Sequence, residues 1–347
     1  MPQAWNARLS DKEQEQFSTL YGAARIQEGV QTKLVKLLLS SLAPGTINNY
    51  IAVINKWLKF ARRHSFREFP IAEDSFSQYL TELMDQGAPY SSFKLLKAAI
   101  PFYYEARNST EQCVTKSPFI KRILEGALRI SAKNRGPVKK AVTFAGTEIK
   151  SLLSTVFWPS GSSSSPNKSL KDWRTGVRLY TYYFSLCRWD CYSKLTMNSI
   201  EFHHDYLTIF YDTRKNDKHY TGSSTILKYR GQDLLCPKLI YRTYFNIMKF
   251  TNGTDFLNCR LTWKAAAARP TTKLSYSESL KTTKELLGRF GYDGSEKSFK
   301  ASGVTILLDS QVPLTDVQVY GGWRSQETPL YYHNSSVKRR KEVSAVL

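Results

Sequence analysis

Residues Tyr320–Asn334 read YGGWRSQETPLYYHN. Two glycines mark a turn, Trp323 follows at once, and Tyr332 stands nine residues after the tryptophan. A tyrosine hydroxyl is one of the side-chain oxygens that can form a covalent intermediate with a substrate. Tyr331 is its immediate neighbour and the chain holds 21 tyrosines, so composition does not single Tyr332 out. Its meaning depends on what stands upstream.

Three features lie upstream in a fixed order. Lys297-Ser298-Phe299-Lys300 opens an apolar helix that runs to Asp309. Further back, YLTIFYD and SSTILKY are β-rich runs on either side of the turn RKNDK, which predicts a hairpin over 206–229 with Lys215 in its turn. Further back still, an apolar helix over about 173–187 ends at Arg188, in YFSLCRWDCYSKLTMNSI. Each residue also has a plainer reading. Arg188 suits an ion pair with Asp190, Lys215 suits a solvated turn in which Arg214 or Lys218 is equivalent, and Trp323 suits a core. Lys297 and Lys300 suit a basic helix start. From about 236 the pattern is helical to the end, and the chain shows no internal repeat.

The N-terminal half is helical in pattern. TINNYIAVINKWLKFARR (46–63) places Tyr50, Ile51, Ile54, Trp57, Leu58 and Ala61 at helical spacing, with Thr46 as a candidate cap and Arg62 and Arg63 at the end. A second helix carries Phe76, Tyr79, Leu80, Leu83 and Met84 and stops at Gly87. A third, Ser91 to Tyr104, turns Phe93, Leu96 and Ile100 inward and Lys94 and Lys97 outward, with a kink expected at Pro101. A fourth, Pro118 to Ala132, turns Lys121, Arg122 and Arg129 outward. Residues 1–30 are expected to be an N-terminal extension and 31–132 a four-helix unit with basic edges. SAKNRGPVKKAV (131–142) has the composition of a linker, placed at 133–142. A second domain then covers 143–347, and includes a Ser-rich loop, PSGSSSSPNKS.

Net charge is +21, with 50 basic side chains against 29 acidic, and this points to a polyanionic partner such as nucleic acid. No stretch is apolar enough to span a membrane, and the polar start MPQAWNARLSDKEQEQ does not resemble a signal peptide. Five cysteines without a CxxC pair are expected to be reduced thiols of a nuclear or cytosolic protein, and no set of residues has metal-ligand spacing.

In order and spacing, these features resemble the tyrosine recombinases, the phage-integrase family, with the texture of recombinases from eukaryotic mobile elements. The family pattern is an arginine after an apolar helix, a lysine in a β-hairpin, an H-x-x-R step, then G-H or G-W followed nine residues later by tyrosine. Arg188, Lys215, Gly322-Trp323 and Tyr332 match it, and TINNYIAVINKWLKF and SPFIKRILEGALR are similar to the family's helical core-binding domain. The resemblance spans roughly residues 40–340. One step departs: Lys297 and Lys300 stand where the family has histidine and arginine. The second change is the harder one, because arginine grips two phosphate oxygens with a planar fork and lysine offers a point charge.

The resemblance implies a mainly α fold with a small β-hairpin or sheet, in which a helical core-binding domain precedes a mixed α/β catalytic domain. It implies a site-specific recombinase or integrase that cuts and rejoins DNA through a 3′-phosphotyrosyl intermediate, as in transposition, without metal, ATP or other cofactor. Tyr332 would be the nucleophile. Arg188, Lys300 and Lys297 would stabilise the phosphate, Trp323 would donate its indole N–H, and Lys215 would be the general acid. Arg62, Arg63, Lys94, Lys97, Lys121 and Arg122 are candidates for backbone contacts with double-stranded DNA. The assembly implied is a homotetramer on paired sites, a monomer or dimer when free, in the nucleus if the host is eukaryotic and otherwise in the cytoplasm with the DNA. Residues beyond Tyr332 are expected to form a short helix that docks on a neighbouring protomer. Two other functions fit: a catalytically decayed, domesticated DNA-binding protein on the same fold, and a type IB topoisomerase or telomere resolvase.

Overall fold

The apolar spacing around Trp57 folds as a helix that opens two residues earlier than expected, over Pro44–Arg63. Pro44 sits at its first turn, where a fixed φ helps and the missing N–H is not needed, and no side chain caps the start. The cap expected from Thr46 is thereby corrected. A computed structural model describes residues 10–22, 32–135, 141–159, 161, 166–212, 222–262 and 267–333. By internal contacts the chain divides into two units, Met1–Val138 and Lys139–Leu347.

The first unit contains the helices Asp11–Tyr21, Thr32–Leu39, Pro44–Arg63, Glu73–Asp85, Tyr90–Ala106 and Pro118–Arg135. Trp57, Phe76, Phe93, Leu96, Ile100, Ile120 and Leu124 form its core. The helix Asp11–Tyr21 falls in the stretch expected to be an N-terminal extension, and its Phe17, Leu20 and Tyr21 belong to the same core. Spacing of i, i+3, i+4 puts these three on one face, and Ser10 and Glu13 cap the helix reciprocally. The third expected helix continues through Pro101 to Ala106. The fourth runs to Arg135, so the start of the expected linker is helical.

The second unit is built around the helix Leu170–Ser185. It is buried on almost every side, with Trp173, Val177, Leu179 and Tyr180 in the main core beside Leu152, Leu153, Ile240, Tyr241 and Tyr244. The expected hairpin strands are present as β2 (Tyr206–Tyr211) and β3 (Ser223–Lys228), antiparallel, with Thr208 opposite Ile226. A further strand, β1 (Ile200–Phe202), completes a three-stranded sheet in the order β1-β2-β3. The segment after 236 is not wholly helical, which corrects the expectation. Between the helices Pro237–Met248 and Tyr276–Arg289, β4 (Cys259–Leu261) pairs with β5 (Ala268–Lys273) through an irregular register at Cys259/Arg260. Among the described residues the fold is mainly α with two small antiparallel sheets.

Two last helical pieces, Leu314–Tyr320 and Glu327–Tyr332, pack on the helix Glu296–Asp309 around a separate small cluster of Leu186, Val304, Val317 and Trp323. All five cysteines are buried and unbridged. Among the described residues no helix is long and apolar enough to cross a membrane, and no metal-ligating group of three or more side chains occurs.

Candidate active site

The central helix Leu170–Ser185 ends because Leu186 takes a left-handed conformation, φ 52°. Its side chain turns into the small cluster with Val304, Val317 and Trp323. Two residues on, Arg188 is half-buried at the start of the short helix Trp189–Tyr192. No carboxylate among the described residues pairs with its guanidinium, so the alternative partner Asp190 is not used.

The helix Glu296–Asp309 meets the end of that central helix at Gly303. A Cβ at Gly303 would lie 2.5 Å from the Tyr183 carbonyl oxygen and 2.7 Å from Leu186 Cδ2. One turn earlier on the same helix, Lys300 is 4% exposed. Its Nζ lies 4.6 Å from the centroid of the Trp323 ring and 5.1 Å from that of Tyr332. Ammonium groups are attracted to the negative faces of such rings, Trp most strongly. The two lysines of the K-S-F-K step therefore separate: Lys300 points into the cluster, while Lys297 is exposed and no contact joins it to these rings among the described residues.

Trp323 is placed by its own turn. Gly322 has φ +61°, a conformation natural to glycine, and a Cβ on Gly321 would overlap the Trp323 ring. The Trp323 N–H donates to the Gln318 carbonyl at 3.0 Å, and Gln318 Nε2 donates back to the Trp323 carbonyl at 3.1 Å. The indole N–H, by contrast, is buried and has no acceptor among the described residues. A buried donor left without an acceptor is costly, so a ligand oxygen there would be favoured.

Tyr332 closes the arrangement. Its ring stacks on Trp323 with centroids 5.8 Å apart and planes 27° apart, and it is half-buried, whereas Tyr331 is 62% exposed. Lys300, Trp323 and Tyr332 are thus brought together, and Arg188 follows Leu186, a member of the same cluster, by two residues in the chain. Lys215 lies outside the described residues, as does the expected docking helix after His333.

A buried network fixes the start of the lysine-bearing helix. Arg178 is fully buried, with its Nε 3.0 Å from Glu296 Oε1. It also donates to Asn258 Oδ1 at 3.0 Å, the Ser279 carbonyl at 2.9 Å and Thr283 Oγ1 at 2.9 Å. Burial raises the Glu296 carboxyl above its ordinary range, and the Arg178 guanidinium opposes that shift. Arg178 and Glu296 are not visible as a pair in the sequence. One signal was there: two arginines, Arg174 and Arg178, four residues apart in an otherwise apolar helix.

The six candidate DNA-contact residues are all exposed on the first unit, but they are not equivalent. Arg62 Nε pairs with Glu68 Oε1 at 2.6 Å, and Arg63 pairs with Glu82. Lys94, Lys97, Lys121 and Arg122 have no ion-pair partner among the described residues.

No protein-family model and no curated protein matches the chain. Solved structures do. The XerH site-specific recombinase, bound to palindromic difH substrate in a post-cleavage complex, is similar with a TM-score of 0.60 at 15% identity, over 98% of this chain and 90% of that one. The Tn1549 transposon integrase, in complex with transposon right end DNA, gives 0.52 at 11% identity, over 95% and 99%. A lambda integrase dimer bound to a COC′ core site gives 0.50 at 13% identity, over 90% and 80%. The chain has the fold of the tyrosine recombinases. Both units take part in the likeness, since almost the whole chain is covered.

Proposed function

We propose that this protein is a site-specific DNA recombinase or integrase that cuts and rejoins duplex DNA with Tyr332 as nucleophile. The observation that carries the reading is the convergence of Tyr332, Lys300 and Trp323, residues drawn from three segments, with an indole N–H that has no acceptor among the described residues. Tyr332 Oη gives up its proton to solvent and attacks the phosphorus of a DNA phosphodiester. The Oη–P bond forms, the P–O5′ bond breaks, and the chain is left joined to a 3′-phosphate. Lys215 protonates the departing 5′-oxygen. A 5′-hydroxyl of the partner strand then attacks the phosphotyrosine and releases the enzyme, so the bond energy is kept throughout. Charge that builds on the non-bridging oxygens is met by Arg188 and Lys300 and by the Trp323 N–H, groups fixed before the reaction begins. Lys297, being exposed, serves as a phosphate contact at the rim. The first unit, acting as the core-binding domain, holds duplex DNA through its outward cations, and four copies assemble on two paired sites. In a eukaryotic host this takes place in the nucleus.

A second reading rests on Lys300 itself. A lysine packed against two aromatic rings is also what remains when the second arginine has been lost, and the chain is then a domesticated DNA-binding protein. Trapping separates the two. Nicked duplexes that carry the terminal sequences of its own genetic element should give an SDS-resistant adduct with wild type and none with Tyr332→Phe. An adduct from Lys300→Arg but not from wild type means a binding protein that has lost its chemistry. Dependence of strand exchange on two paired sites then distinguishes a recombinase from a topoisomerase.

A further inference from the structure

The proposed nucleophile sits on a very short helix. Glu327–Tyr332 has six residues, far fewer than a helix needs to hold itself in water. Its place must come from tertiary contacts. Two are the stacking of the Tyr332 ring on Trp323 and the burial of Pro329. A third joins His333 to Asp309. His333 Nε2 lies 3.0 Å from Asp309 Oδ1, and the two side chains are only 23% and 20% exposed. The His333 amide also donates to the Pro329 carbonyl at 2.9 Å, so the His333 backbone is continuous with the helix before it. A restraint on the His333 side chain therefore acts directly on Tyr332.

Asp309 is the last residue of the helix Glu296–Asp309, and Lys300 stands near its first turn. That helix meets the tyrosine segment at both ends, through Lys300 against the Tyr332 ring and through Asp309 against His333. We infer that the Asp309–His333 pair is a positioning device for Tyr332, which fixes the nucleophile's backbone to the helix that carries Lys300. Neither residue touches the reacting atoms. The inference rests on Tyr332 being the nucleophile, but the restraint is measurable without any reaction.

The experiment uses the full chain with Asp309→Asn, His333→Gln and the double substitution. Amide hydrogen exchange is followed across residues 328–333, and adduct formation is followed on saturating nicked duplex. A charge-assisted hydrogen bond of this kind supports about tenfold faster exchange in each single variant. The double variant should be no faster than the singles, because both remove one interaction. Adduct formation should slow about tenfold as well, with duplex affinity and Tm unchanged. Unaltered exchange in 328–333 overturns the inference, and so do multiplicative effects in the double variant or an affinity that falls in step with the rate. If wild type makes no adduct while exchange behaves as expected, the positioning pair stands and the recombinase reading falls.

Discussion

Among the described residues of the first unit, the buried polar side chains are Ser75, Thr115 and Ser131, all neutral, whereas the second unit buries Arg174, Arg178, Asp255, Glu296 and Lys300. Taking a charge out of water is expensive unless it is paired or hydrogen-bonded. The second unit meets that condition at Arg174, Arg178, Asp255 and Glu296. Arg174 donates to the Cys259 carbonyl at 2.9 Å, and Asp255 accepts from the Thr251 and Asn252 amides at 2.9 and 3.0 Å. Arg178 and Glu296 face each other, and Lys300 lies against two rings. Among the described residues the first unit keeps most of its cations exposed, where they act through a field that salt weakens. Two arrangements of positive charge are thus separated along the chain: a solvated face in the first unit, and a dry, fixed set in the second, of which Lys300 is the member beside Trp323 and Tyr332.

The largest effect should come from breaking the dry set. Arg178→Met leaves Glu296 buried without its cation, at a cost of about 3–5 kcal/mol. In a unit of this size that lowers Tm by about 10 °C, which differential scanning calorimetry reads directly. A drop of only one or two degrees would mean that water reaches Glu296 and that the charge is not buried in solution. Next comes Gly321→Ala. Its methyl group collides with the Trp323 ring, and displacement of that ring should slow adduct formation about a hundredfold while duplex affinity stays the same. The smallest effects belong to the first unit. Alanine at Lys94, Lys97, Lys121 or Arg122 should weaken binding alike for all duplex sequences and reduce the salt slope by about 1 each. Arg62→Ala and Arg63→Ala should do less, since Glu68 and Glu82 already neutralise them. Equal slopes for all six would show that DNA displaces those carboxylates.

The same contrast explains what was legible in the sequence. Helices of the first unit announce themselves by apolar spacing, as around Trp57 and Phe93, because each has one face in and one face out. The register from Trp323 to Tyr332 was legible because it is short and local. Arg178 and Glu296 were not, since nothing in either neighbourhood names a partner so distant along the chain. The pair β4 and β5 was missed for a different reason: β5 reads ARPTTK and is mostly exposed, so it lacks the alternation that marks a half-buried strand. The split between Lys297 and Lys300 needed the packing of the helix start, and the spacing alone treats the two as neighbours on one face.

The small cluster around Trp323 has one more consequence, in the order of synthesis. Every member of the main core of the second unit, from Phe144 to Phe299, is made before Trp323 and Tyr332. Chains that grow from the N-terminus fold as units when their cores are complete. The tyrosine then arrives on a surface already built, and under the proposed function a chain still being made would grip DNA before it had any means of cutting it.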